Sequence, residues 1–277
     1  MKSRSSFIGA SAALLTTFTL MLGSPSPANA ETSVHLLLGN PSGATTHASN
    51  RSNYLLVKPQ YALSYSDYTK IPNWVSWQLN QSWLGSADSQ YPDSLDSTLP
   101  LGWQQIPADN CYSCSGFDRG HMTPAADRSN TAESNSATFV MTNIIPMAPE
   151  NAQGPWRDLE EYCRELVAQG KELYIISGGH GTGKTMSSTL LGQSINVPAK
   201  TWKVILVLDR PDSGLEGVNA ETRVIAVDIP NESGVRNNDW RSYRVTVDSI
   251  EAATGLNFLS NVSPSVERTL EARVDNQ

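Results

Sequence analysis

Residues Asp118–Ala126 read DRGHMTPAA and bring an acid, a cation, a glycine and an imidazole into consecutive positions, Asp118, Arg119, Gly120 and His121. Hydrolysis of a phosphodiester needs a base that takes a proton from water near neutral pH, and histidine has the ordinary pKa for that work. It also needs positive charge against a non-bridging phosphate oxygen, which the guanidinium fork of arginine supplies. The chain has four histidines, His35, His47, His121 and His180, so candidates for the base are few. On its own, DRGH leaves a bland reading open: Asp-Arg pairs in loops are commonly plain ion pairs, and a lone histidine is commonly a satisfied polar residue. His35, in the apolar Val34–Leu38 patch, and His47, in the polar stretch after it, have no acid–cation pair beside them and read as structural.

More residues narrow the choice. Thr142-Asn143-Ile144-Ile145-Pro146-Met147 is followed by Asn151, Trp156 and Glu160. This arrangement resembles the DNA/RNA non-specific endonucleases, the ββα-metal family that includes endonuclease G, where a DRGH run precedes a TNxxPQ segment and then an Asn, a Trp and a Glu on a helix. Lys58–Tyr65, Pro72–Asn80, Leu159–Val167 and Asn237–Tyr243 look like the secreted cyanobacterial members, so the likeness covers nearly all of the chain after its leader. The resemblance implies His121 as the general base, with Arg119 and Arg164 gripping the phosphate and stabilising transition-state charge. It implies Glu160 as a group holding one hydrated Mg²⁺ or Mn²⁺ through its waters. DNA and RNA are the implied substrates, and a protein inhibitor is a partner the family reading leaves open. Asp118 is expected to order the loop.

Three positions depart from the family pattern. The family's direct metal ligand is an Asn four residues before the helix Trp, and counting back from Trp156 reaches Ala152, which has no ligand atom. Asn151, one residue earlier, is the expected substitute if the loop shifts. The Gln that closes TNxxPQ is Met147, and a further phosphate-binding Arg is Ser89 here. Polar losses around one metal weaken its hold, so a nuclease fold that binds nucleic acid with reduced turnover is the alternative.

The elements that must carry these residues are partly legible. Pro155–Ala168 has proline at its start, Gly170 just past its end, and a stripe of Trp156, Leu159, Cys163, Leu166 and Val167, which predicts an amphipathic helix. Glu160 and Arg164, four apart, emerge side by side along it. Asn130-x-x-Glu133 has the form of a capping box and predicts a short helix. Tyr54–Val57, Trp74–Leu79, Ala137–Met141, Glu172–Ser177, Trp202–Leu208 and Arg223–Asp228 lean to strands, and Val247–Thr254 and Pro264–Val274 to helices. Trp74, Trp77 and Trp83 could stack bases, but their apolar surroundings favour core packing. The expectation is one α+β domain, a central, mainly antiparallel sheet flanked by helices, with a ββα-metal active site.

Gly178–Thr185, GGHGTGKT, satisfies the nucleotide-binding pattern GxxxxGK[ST], and VILVLD at Val204–Asp209 resembles its acidic partner strand. A phosphate loop must open a helix, because the helix N-terminus faces the anion. Met186–Thr201 contains Ser-Ser-Thr, Gly192 and Pro198 and predicts a loop or hairpin, so Gly178–Thr185 is expected to be a glycine-rich surface turn.

Residues 1–30 read as a secretory signal peptide: Lys2 and Arg4, the apolar run Phe7–Leu22, and an A-x-A site at Ala28-Asn29-Ala30. The run is too short and too rich in Ser and Thr for a comfortable span, so no membrane attachment is expected after cleavage. The functional domain is then residues 31–277, secreted or periplasmic. The formal charge of −7 becomes more negative by two when Lys2 and Arg4 leave. That counts modestly against a tight clamp built on bulk positive charge, since non-specific binding rests on Lys and Arg displacing counterions. It leaves room for an enzyme holding a few phosphates locally. Cys111, Cys114 and Cys163 lack enough companions for a zinc site; a disulfide, local or linked to Cys163, is the expected use in an oxidising compartment.

Overall fold

The computed structural model describes residues 33–87, 93–103, 105–106, 112, 115–188 and 193–277. Residues 1–30, Ser89, Cys111 and Cys114 lie outside the described residues. In chain order the first five strands are β1 (Tyr54–Val57), β2 (Ala62–Ser66), β3 (Ile71–Leu79), β4 (Asp118–His121) and β5 (Ile144–Met147). The rest are β6 (Glu172–His180), β7 (Thr185–Ser188), β8 (Gln193–Asn196), β9 (Lys200–Leu208) and β10 (Arg223–Pro230). Six of them form one antiparallel sheet in the order β1-β2-β3-β6-β9-β10, while β4 pairs with β5 and β7 with β8. The helices are α1 (Ala132–Ser136), α2 (Pro149–Ala152), α3 (Pro155–Ala168), α4 (Val247–Thr254) and α5 (Pro264–Glu271).

The large sheet is covered on both faces, which is why its central strands are apolar without alternation. On β6, Leu173 and Ile175 join the core beneath α3, whereas Tyr174 and Ile176 join the core beneath α4 and α5. On β9, Ile205 and Val207 point to the α3 side and Val204 and Leu206 to the other. The expected α+β architecture, an antiparallel sheet flanked by helices, is the one observed. Trp74 and Trp77 are fully buried, one in each core, as core packing requires. His35 is likewise buried, its ring bonded to the Pro59 carbonyl and the Gln78 amide.

Helix α3 takes the expected bounds, with Gly170 at φ +88° just beyond it, a left-handed conformation that glycine adopts without strain. Its five apolar residues are all buried against the sheet.

Several local expectations need correction. Ala137–Met141 is not a strand but lies in two short 3₁₀ turns, Ala137–Phe139 and Met141–Asn143. The Asn143 amide donates to the carbonyls of Thr138 and Thr123, so side-chain bonds replace a ladder there. The cap of α1 is Thr131, whose hydroxyl accepts from Ser134 N at 3.0 Å, while Asn130 turns away to the Ser82 carbonyl. Helix α5 ends at Glu271 and leaves Val274 exposed. Gly178–His180 continue β6 rather than turning: an added Cβ on Gly178 would stand 2.7 Å from the Trp202 ring, and one on Gly179 2.6 Å from Pro198. A hairpin, β7–β8, follows Lys184 where a nucleotide site would need a helix. Cys163 is a free thiol buried in α3, so the Cys163-linked disulfide is set aside. Among the described residues, no helix is long and apolar enough to cross a membrane.

Candidate active site

Strand β4 carries the whole DRGH run and pairs with β5, placing Asp118 opposite Met147 and His121 opposite Ile144. Helices α2 and α3 follow directly, so two strands and a helix bracket the run. The pairing is close enough to demand Gly120: a Cβ there would lie 2.6 Å from Met147 Cε and 3.2 Å from the Ile145 carbonyl oxygen. Asn143 closes the connection after His121, accepting from Thr123 N at 3.0 Å and donating to Thr123 O at 2.9 Å. Thr142 adds a bond to Asp96 Oδ2 at 2.5 Å. The Thr-Asn pair thus serves as scaffold: Asn143 holds the chain just after His121 through Thr123, and Thr142 ties the same turn to Asp96.

His121, Arg119, Asp118 and Ala152 line one open cleft of about 630 Å³, with Asp93 and Phe139 in its walls. The His121 ring meets Phe139 edge-on at 5.1 Å between centroids. Burial pushes the His121 pKa down to about 4, partly opposed by a ring hydrogen bond to the Arg119 backbone. Nε2 has no hydrogen-bond partner among the described residues, which leaves Nδ1 as the nitrogen tied to the backbone. A ring so held is neutral at physiological pH, with the Nε2 lone pair free to accept a proton. Arg119 Nε contacts Asp93 Oδ2 at 2.6 Å, and His121 Nε2 lies 3.9 Å from Asp93 Oδ1. Asp118 accepts from the Gln153 amide at 2.8 Å, and Gln153 in turn accepts from Arg236, so Asp118 ties the DRGH strand to the residue after α2.

The α3 residues form a second group, anchored to the sheet and outside the lining of that cleft. Glu160 Oε1 lies 3.2 Å from Lys203 Nζ, and that ammonium sits 3.1 Å from the Trp156 ring centroid, an ion held by a carboxylate and an aromatic face together. Burial raises the Glu160 pKa to about 7 against the opposing pull of Lys203. Arg164 contacts Asp127 Oδ1 at 2.9 Å, while Asp127 Oδ2 accepts from Trp77 Nε1 at 3.0 Å. Asn151 is fully buried behind the cleft wall. Its amide nitrogen donates to Thr201 Oγ1 at 2.9 Å, and its Oδ1 has no hydrogen-bond partner among the described residues. The residue that lines the cleft at this point is Ala152.

A hard divalent cation takes oxygen ligands. The orphaned Asn151 Oδ1 and the Glu160 carboxylate fit that chemistry, although neither lines the cleft as His121 does. Among the described residues, the one close cluster of His, Cys, Asp or Glu ligand atoms is Asp248, Glu251 and Glu271 on α4 and α5, which belong to the other face of the sheet. Three groups in contact with the site residues escaped sequence reasoning: Asp93, Asp127 and Lys203. Lys203 did leave a signal, a single charge inside the apolar strand TWKVILVL. Asp93, one of three acids (Asp88, Asp93 and Asp96) spaced along a polar stretch, left none.

Two strands and a helix bracket DRGH beside a six-stranded antiparallel sheet, an arrangement of the ββα kind. The family model for DNA/RNA non-specific endonucleases matches residues 39–265, and the chain belongs to that family of phosphodiester hydrolases. A nuclease of Nostoc sp. is 55% identical over 244 residues, which cover 88% of this chain and 87% of that protein. The mitochondrial nuclease EXOG of Mus musculus is 29% identical over 224 residues, 77% of this chain but 58% of its own length. A solved chain of the EndoG/EndoGI complex, described there as a mechanism of EndoG inhibition, superposes with a TM-score of 0.65 at 20% identity. That alignment covers 83% of this chain and 91% of the solved one and speaks to the fold alone.

Proposed function

We propose that the chain is a secreted endonuclease that hydrolyses phosphodiester bonds of DNA and RNA without sequence preference, leaves 5′-phosphate ends, and depends on Mg²⁺ or Mn²⁺. One observation carries this reading: a neutral His121 whose Nε2 lacks a hydrogen-bond partner among the described residues, beside Arg119 in an open cleft. In this mechanism Nε2 takes a proton from water. The water oxygen bonds to phosphorus as the bond from phosphorus to the 3′-oxygen breaks. Arg119 grips a non-bridging oxygen and neutralises charge that grows in the transition state, and Arg164 is assigned the same role. When bound, the cation supplies charge neutralisation at the departing 3′-oxygen, with Glu160 and Asn151 Oδ1 the donors that would hold it.

The leader at residues 1–30 supports a secreted or periplasmic destination. The inhibited EndoG complex supports a protein inhibitor as a class of partner. The deciding experiment incubates purified residues 31–277 with plasmid and total RNA plus Mg²⁺ or Mn²⁺. Cleavage that His121→Ala abolishes is expected; no cleavage with either metal, or cleavage indifferent to His121→Ala, rejects the reading. Ala152 in the cleft wall favours a second reading, a nuclease fold that binds nucleic acid with little turnover. It predicts salt-sensitive binding, weakened by Arg119→Ala, without metal-stimulated hydrolysis.

A further inference from the structure

Arg119 and His121 lie two residues apart on one strand, so their side chains leave the same face of β4. Nothing in the strand itself fixes the flexible arginine relative to the ring. The group that touches both is Asp93, a residue from a different segment of the chain whose side chain is only 7% exposed. Its Oδ2 meets Arg119 Nε at 2.6 Å and its Oδ1 stands 3.9 Å from His121 Nε2. We propose that Asp93 is a positioning residue, whose carboxylate holds the Arg119 guanidinium beside His121 so that both meet one phosphate. This rests on the roles given above to His121 and Arg119 and adds a third residue to that site.

The geometry of the contact carries the inference. A guanidinium has two donor edges, and a carboxylate on Nε fixes its plane while leaving the terminal edge for a bidentate grip on phosphate. The Arg119 side chain is 42% exposed, so without Asp93 it would sample many rotamers and lose entropy on binding each substrate. The second oxygen, 3.9 Å away, is too far from Nε2 to hydrogen-bond it, so Asp93 does not occupy its lone pair. It is near enough to act as a charge. Once Nε2 has taken the proton, a carboxylate 3.9 Å away favours the imidazolium that forms.

The test is a double-mutant cycle in residues 31–277: wild type, Asp93→Asn, Arg119→Ala and the double variant, assayed for plasmid cleavage. Asp93→Asn is expected to lower kcat/KM by about 10- to 100-fold, the scale of a misplaced catalytic contact. In the Arg119→Ala background the same change should cost little, and Asp93→Glu should recover part of the loss. An equal loss in both backgrounds overturns the inference, because a general structural role would not depend on Arg119. Activity unchanged or raised by Asp93→Asn also overturns it; a rise would mean that Asp93 competes with the phosphate. Circular dichroism melts accompany each variant. If Asp93→Asn does not fold, Asp93→Ser replaces it in the cycle, and failure of Asn, Ser and Glu alike to fold overturns the inference. A wild type without nuclease activity would instead sink the proposed function. The cycle is then read as the Kd of a fluorescein-labelled single-stranded oligonucleotide in EDTA, where coupling between Asp93 and Arg119 is still expected and its absence rejects the positioning role.

Discussion

Lys203 of β9 and Glu160 of α3 form an ion pair at 3.2 Å across the interface between the sheet and the helix, and Lys203 is 1% exposed. The pair joins the centre of the fold to the proposed catalytic helix. Neither charge is replaceable alone, since removing one partner leaves the other buried and uncompensated.

This pair sets the first prediction, the pH dependence of activity. Burial raises the Glu160 pKa to about 7, so the neutral acid predominates below that pH and the carboxylate above it. The role given to Glu160 needs the carboxylate. At low metal concentration, kcat/KM should therefore rise with pH through about 7. A cation nearby favours the ionised form, so the limb should move to lower pH as Mn²⁺ is increased. His121, already neutral down to about pH 4, cannot supply that limb in the free enzyme. Initial rates across pH at several Mn²⁺ concentrations check this; a limb that does not move with metal would remove Glu160 from metal binding.

Asp127 leads to a prediction about stability. It is 1% exposed and bonds both Arg164 NH1 and the Trp77 indole. Asp127→Ala leaves an arginine without its partner and an indole N–H unpaired in the core, and should cost about 3 kcal/mol in urea unfolding. Asp127→Asn, which still accepts from Trp77, should cost clearly less. Losses of equal size would show that the Trp77 bond contributes nothing and that the whole cost lies in the lost charge facing Arg164.

The elements legible in the sequence were those whose signal is local. Helix α3 announces itself through Pro155, Gly170 and an apolar stripe, and the strands of the large sheet through apolar runs. Strand β2 was invisible because its residues, Ala-Leu-Ser-Tyr-Ser, lack β-branching and owe their conformation to pairing with β1 and β3. The site divides the same way. Asp118, Arg119, Gly120 and His121 are contiguous and carry their own signature. Their supports come from elsewhere: Asp93 from a separate loop, Asp127 opposite the helix, Lys203 from the sheet. Such partners are set by tertiary packing, which no short-range pattern records. The Asn151 amide illustrates the limit, since one position decides between a cleft-facing side chain and one buried against Thr201.

Crowded acids on α4 and α5 lead to a prediction far from the cleft. Glu271 is 6% exposed, and burial together with Glu251, Glu267 and Asp248 raises its pKa to about 8. A carboxyl raised above its unfolded value contributes stability that is fully present below about pH 4.5 and is lost as pH rises through about 8. Glu271→Gln keeps the shape without the charge. It should raise Tm relative to wild type above about pH 8 and leave it nearly unchanged below about pH 5. Melts at both ends of that range check it, and a pH-independent difference would point to packing.

The last prediction concerns Ala152, a residue of the cleft lining at the position where the family pattern has an amide. The Asn151 amide next to it is buried and committed to Thr201, and water-mediated contact through Glu160 fixes an ion less firmly than direct ligation. Ala152→Asn places an amide oxygen in the cleft with His121. It should tighten Mn²⁺ binding, measured by calorimetry without substrate, and raise kcat/KM, each by about 10- to 100-fold, the scale of other metal-shell contacts. Asn151→Ala distinguishes the sources of ligation. If Asn151 Oδ1 is the stand-in ligand, its loss abolishes the activity of the parent chain but does little beside Ala152→Asn. If it only supports the wall through Thr201, its loss lowers Tm equally in both backgrounds. Metal affinity unchanged by Ala152→Asn would mean that the position facing the cleft is not the ligand position, and that the ion is held by other oxygens.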